Sequence, residues 1–199
     1  MKGFFTNFAT KINGQLIGCI QFIIDIFIFQ ECGFMFRNLV VKFMVWRGKA
    51  VDIWSKRAYP ANVLSNLYNN GFLFDGVICN SMEGFLQSLK QKDCVKQCQI
   101  CRLEGKEAKK MSSVEWQNNQ IVWWKRQAIN RQSEMYLQLV RRAYRTMLEQ
   151  NKRFSTALMA TQSKRLYHSR GEKNPYKTIL TEQEFCNILT ELRKELQKV

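Results

Sequence analysis

The chain has 199 residues, 46% of them hydrophobic and 13% aromatic, which is material for one domain with a substantial core plus an N-terminal appendage. Lys and Arg outnumber Asp and Glu by 31 to 16, a formal net charge of +15 that favours polyanionic partners, either nucleic acid or a phosphate-bearing small molecule. The charge is dispersed rather than gathered in a basic tail. The chain also carries no Gly-rich phosphate fingerprint, nucleophile elbow or zinc-protease motif, so those chemistries are set aside and no cofactor is expected.

Residues 1–43 are treated as an apolar extension of the domain at 44–199. Within it Leu16 to Phe29 is strongly apolar but holds Gln21 and Asp25, and it is shorter than the roughly 20 residues a bilayer core requires. It reads as a buried strand or helix, a membrane-associating segment, or an upstream extension before a start at Met44, with membrane attachment the less favoured reading. Met44 to Pro60 reads as a strand pair around a Gly-Lys turn. From Ala61 to Lys90, Asn69-Asn70-Gly71 and Asp75-Gly76 punctuate the short apolar pieces Phe72–Phe74 and Val77–Cys79, the pattern of short paired strands. A helix follows, capped by Asn80 or Ser81, with Met82, Phe85, Leu86 and Leu89 on its apolar face. Glu83, Gln87 and Lys90 line one neighbouring edge of it.

Asp93 to Lys110 reads as helical with a break near Gly105, and Glu134 to Glu149 is the clearest helix, ended by Asn151 and followed by a short one from Phe154 to Ala160. Thr181 and Glu184 form a capping box for a last helix that buries Phe185, Ile188, Leu189, Leu192 and Leu196. The whole is a mainly helical α+β single domain with a few short strands and no sustained sheet.

Several residues invite a chemical reading beside a plain one. Glu83 at N3 behind Asn80 is an ordinary capping box, and Lys90 near a helix end suits the helix dipole. Trp123 and Trp124, near Trp116 and ahead of Lys125, Arg126 and Arg131, read as a core cluster or as a stacking platform for a base, one ring inward and the other toward a pocket. His168, the one histidine, is a solvated loop residue or a proton carrier, and Arg170 beside it is a natural phosphate ligand. Cys94, Cys98 and Cys101 share a helical spacing, but only one C-x-x-C is present, so no metal is expected. Seven cysteines without a secretory signal point to reduced thiols in a cytoplasm.

The string LSNLY…SMEGFLQSLK resembles the signature of the NADAR superfamily, a Ser-Asn element followed by a Glu-led helix ending in Lys. The likeness continues through GKEAKKMS, RRAYRTMLEQNKRFSTALMAT and EFCNILTELRKEL, covering about Trp46 to Leu196. The resemblance implies an N-glycosidase acting on ribosylated bases, a hydrolase of riboflavin-biosynthesis intermediates in one branch and of ADP-ribose on guanine in another. It makes Glu83 and Lys90 catalytic, Lys90 as the amine that captures an opened ribose. By rough register it sets His168 in the place of a late acidic residue. Ser65 and Asn66 would hold sugar or phosphate oxygens, Trp123 or Trp124 would stack the base, and Arg170 would pair with phosphate. Gly84 stands where the family often has His, and LYHSRGEKNPYKT replaces the acidic and Trp-Gly segment of the riboflavin branch. With the +15 charge, that replacement favours an ADP-ribosylated base over a substrate with one phosphate. A non-catalytic basic nucleic-acid-binding protein is the rival reading.

Overall fold

The computed structural model describes residues 38–198, so the expectation for Leu16 to Phe29 falls outside the described residues. Residues 38–46 are helical, and the strand pair expected across Met44 to Pro60 does not form. Instead β1 (Ala50–Asp52) lies parallel to β6 (Arg165–Tyr167), with Val51 opposite Leu166 and an added Ile53 N–H to Tyr167 carbonyl bond of 2.8 Å. Strands this short, drawn from distant parts of the chain, leave no turn signal between them.

The hairpin β2 (Phe72–Phe74) and β3 (Val77–Cys79) forms as expected. Asp75 and Gly76 both have positive φ, 48° and 77°, as a two-residue type I′ connection requires. A second hairpin, β4 (Ile121–Trp124) with β5 (Gln127–Asn130), occupies the tryptophan cluster. Its turn residues Lys125 and Arg126 also have positive φ, 46° and 70°, without the Asn or Gly that announces such a turn.

The helices are α1 (Met82–Ser88), α2 (Cys94–Cys101), α3 (Gly105–Lys110), α4 (Trp116–Asn119), α5 (Glu134–Gln150), α6 (Lys152–Ala160) and α7 (Glu182–Leu196). The break expected near Gly105 falls just before α3, and glycine is required there because a Cβ would lie 2.4 Å from the Leu67 carbonyl oxygen. Asn151 ends α5 and caps α6, its side chain accepting from Phe154 N–H at 3.1 Å. α5 is the spine. It buries Tyr136, Val140, Ala143, Tyr144 and Met147 and packs against β2, β5, α6 and α7, while α1 packs against α2 and α3. Phe74, Phe85 and Trp124 meet at ring separations of 5.2 to 5.6 Å and join the hairpins to α1. The chain divides into two compact units at 44/45, and all numbered elements belong to the second. Among the described residues no helix is long and apolar enough to cross a membrane.

Candidate active site

A cavity of about 230 Å³ opens where the ends of β1 and β6, the Ser65–Leu67 turn and the starts of α1 and α7 converge. It is lined by Trp54, Lys56, Ser65, Asn66, Glu83, Lys109, His168, Arg170 and Phe185 among others. Five of the residues singled out in the sequence, Ser65, Asn66, Glu83, His168 and Arg170, are thus brought together from positions more than a hundred apart.

Glu83 owes its place to the cap. Ser81, in extended conformation, is the N-cap and accepts from Gly84 N–H at 3.0 Å, so Glu83 is the second helical residue rather than the third. The capping-box role is therefore vacant, and the carboxylate accepts from Gln87 Nε2 at 2.8 Å. Its backbone N–H donates to the Asn66 carbonyl at 2.9 Å, which ties α1 to the turn opposite. The helix edge that carries Glu83 is buried at this residue, with 9% of Glu83 accessible. Gly84 beside it has no room for the histidine the family often carries, since a Cβ would lie 2.9 Å from the Cys101 carbonyl oxygen.

Asn66 is oriented from behind by Tyr144 of α5, whose hydroxyl donates to Asn66 Oδ1 at 2.5 Å. That leaves the amide NH₂ as the group available to a ligand. Burial pushes the Tyr144 phenol well above its ordinary value, and the neighbouring Glu83 charge adds to this while the Asn66 bond opposes it. Tyr144 stays a neutral donor.

The late loop is held by Asp52, buried at the end of β1. Its carboxylate accepts from Ser169 N–H at 2.9 Å and Ser169 Oγ at 2.8 Å, and pairs with Arg57 at 3.0 Å. His168 Nδ1 lies 2.6 Å from the Ile53 carbonyl oxygen. A carbonyl only accepts, so Nδ1 carries the proton and Nε2 is the nitrogen left for exchange. The ring stands edge-on to Phe185 at 5.3 Å. Arg170 lies 4.1 Å over Trp54, with Arg57 at 5.2 Å from the same ring.

Lys90, Trp123 and Trp124 do not line this cavity. Trp124 points inward, 5% exposed, its indole N–H donating to Asp75 at 2.8 Å. Trp123 and Lys90 line a separate groove, where Lys90 Nζ donates to Ser112 Oγ at 2.8 Å. Burial lowers the Lys90 ammonium to about 8, Glu83 opposing that shift and Lys109 adding to it. The tryptophan in the cavity lining is Trp54, and its further cations are Lys56 and Lys109. The sequence offered one signal for Trp54: it belongs to the apolar set Ala50, Val51, Ile53 and Trp54 that leads out of β1. Asp52, Tyr144, Lys56 and Lys109 carried none, because each matters only through contacts the fold creates. Among the described residues no group of three or more His, Cys, Asp or Glu is placed to hold a metal ion, and no described cysteine is in a disulfide.

This architecture is similar to the NMR structure of the E. coli protein YbiA, with a TM-score of 0.53 over 75% of this chain and 86% of that one, at 18% identity. At that identity the likeness is one of fold. The chain belongs to the family described as Bacteriophage protein GP30.3, which matches residues 58–194. A relative in Enterobacteria phage T4, described as "Uncharacterized 17.1 kDa protein in Gp30-rIII intergenic region", is 34% identical over 149 residues, 73% of this chain and 98% of its own length.

Proposed function

We propose that the protein is an N-glycosidase that hydrolyses the bond between a ribose and a base, with ADP-ribose on guanine as the favoured substrate. The observation that carries this reading is the single carboxylate of Glu83, buried and anchored by Gln87, in a cavity whose other charged lining residues include Lys56, Lys109 and Arg170. Breaking an N-glycosidic bond builds positive charge at the sugar C1′, and a carboxylate held beside it stabilises that charge. The electron pair leaves with the base nitrogen, which takes the Nε2 proton of His168 in its imidazolium form while Nδ1–H stays on the Ile53 carbonyl. Asn66 and Ser65 hold sugar oxygens, and Trp54 offers a face to the base. Three cations suit two phosphates better than one, which favours ADP-ribose over a ribose monophosphate.

Lys90 completes the scheme as the amine that bonds to C1′ as the base leaves; the C1′–O4′ bond then breaks to give the open-chain Schiff base, and water adds to that carbon, releasing the sugar and restoring the amine. An ammonium lowered to about 8 leaves a useful neutral fraction near neutrality, as an attacking lysine needs. Its Nζ must leave Ser112 to reach the sugar.

Mass spectrometry of products from a panel of ribosylated bases tests the reading. Release of free base from ADP-ribosylated guanosine, lost in Glu83→Gln, is the expected result. Borohydride should trap a sugar adduct on Lys90, and turnover should rise with pH up to about 8. Free ADP-ribose should compete better than ribose 5-phosphate, and Arg170→Ala should weaken it by about 1.5 to 3 kcal/mol. No base release from any member of the panel would end the glycosidase reading.

A further inference from the structure

The groove that takes Lys90 and Trp123 away from the cavity has a construction of its own. It measures about 330 Å³ and runs between the end of α1, the start of α2 and β4. Trp123, half-buried, forms its aromatic wall, with Lys92 Nζ 5.0 Å over the ring. Lys90 and Lys96 stand along the same lining, as do Asp93 and Glu115. The Asp93 carboxylate is already engaged as the cap of α2, accepting from Val95 N–H at 2.7 Å and Lys96 N–H at 3.4 Å.

The platform is fixed from both sides. Trp123 N–H donates to the Leu89 carbonyl at 2.7 Å, and its own carbonyl accepts from Gln97 Nε2 at 2.7 Å. Gln97 is 2% exposed and uses its amide fully: Nε2 also donates to the Gln91 carbonyl at 2.8 Å, and Oε1 accepts from Lys125 N–H at 3.2 Å. One buried amide thus locks three segments, α2, the 89–91 turn and β4, around an indole left at the surface. A ring held rigid among lysines is what single-stranded nucleic acid uses, since any base can stack on the indole while the ammonium groups meet its phosphates.

We infer that this groove binds single-stranded nucleic acid, with Trp123 stacking a base and Lys92 and Lys96 pairing with phosphates. The inference stands apart from the cavity's chemistry, although the two connect: a strand lying here would run beside Lys90 and could present a modified nucleotide to Glu83.

The test is fluorescence anisotropy of a labelled 12-nucleotide oligodeoxythymidine with the full chain. Lys92→Gln/Lys96→Gln and, separately, Trp123→Ala should each weaken binding about tenfold or more, the latter because stacking is worth roughly 1 to 3 kcal/mol. Raising salt from about 50 to 200 mM should cost about sevenfold if Lys92 and Lys96 each meet one phosphate of a single strand. Glu83→Gln should bind like the parent. Lys194→Gln/Lys198→Gln, at the exposed end of α7, controls for charge alone. Equal losses in that control and in the groove variants, or a parent-like Lys92→Gln/Lys96→Gln protein, would overturn the inference. Both lysines are exposed, so this variant reports even if Trp123→Ala does not fold. Because the oligonucleotide carries no ADP-ribose, binding can succeed where glycosidase activity fails, and the reverse.

Discussion

Two helices in this domain begin alike and use their first-turn glutamates differently. At α7, Thr181 is the N-cap and Glu184 the third helical residue. Its Oε2 accepts from Thr181 N–H at 2.7 Å, and the two oxygens take Arg131 at 3.0 and 2.6 Å. At α1, Ser81 is the N-cap and Glu83 the second residue, bonded through Gln87 and turned to the cavity. Moving the cap by one residue relative to the glutamate rotates the carboxylate by about 100° around the helix. It leaves the group without the reciprocal backbone bond that would occupy it. One acid is tied into the architecture, and the other faces the cavity, where the proposed chemistry needs it.

Removing the architectural partner should have the largest effect. Arg131 is 1% exposed, and Arg131→Ala would strand the Glu184 carboxylate, so a loss of about 3 to 5 kcal/mol is expected in urea denaturation. A loss below about 1 kcal/mol would mean that the two glutamates are not different in kind. Glu83→Gln should behave in the opposite way: turnover falls by roughly 100-fold or more while the melting temperature moves little, because the amide can still meet Gln87 after a flip. A variant with full turnover and a melt several degrees lower would make Glu83 structural after all.

Acid separates the pair further. Burial pushes the Glu184 carboxyl up, but the Arg131 and Thr181 bonds together outweigh it and leave it below the ordinary range. A depressed acid contributes stability that is complete above its unfolded value, near 4.3, and is lost as the pH falls from there through the folded value. Stability curves of the parent and Glu184→Gln should therefore lie apart at pH 7 and converge in the acid limb. The smallest effect belongs to Lys90. Its folded value of about 8 is below that of a free lysine, so the folded state bears a penalty below pH 8 that fades as the pH rises toward 10.5. Lys90→Met should be slightly more stable than the parent at pH 7, and the gap should close by pH 10.5.

What could be read in advance follows the range of the forces involved. The helix over 134–150, the Thr181–Glu184 box, the Asp75-Gly76 turn and the Gly105 break are set by neighbours within a few residues, and the sequence displays them. The β4–β5 hairpin escaped because Lys125 and Arg126 adopt a left-handed backbone that their side chains do not advertise. Asp52 was missed for a different reason: its partners Ser169 N–H and Oγ arrive through a parallel pairing that no local pattern encodes. Family likeness supplied Ser65, Asn66, Glu83 and Arg170 for the cavity. It did not supply Trp54, which supplants the two downstream tryptophans there, or Lys109.

The tight meeting of α1 and α2 at Gly84 bears on how the site breathes. Asn80 N–H donates to the Cys101 carbonyl at 2.8 Å, Asn80 Nδ2 donates to the Arg102 carbonyl, and Gly84 lets the two backbones touch with no side chain between them. Amide protons at Asn80, Glu83 and Gly84 should then exchange with deuterium only when the whole domain opens, on the timescale of global unfolding. Those of the exposed 55–56 turn across the cavity should exchange within seconds. One wall of the chamber is an anvil, and any closing over a ligand has to come from the other, where Trp54, Lys56 and Arg170 sit.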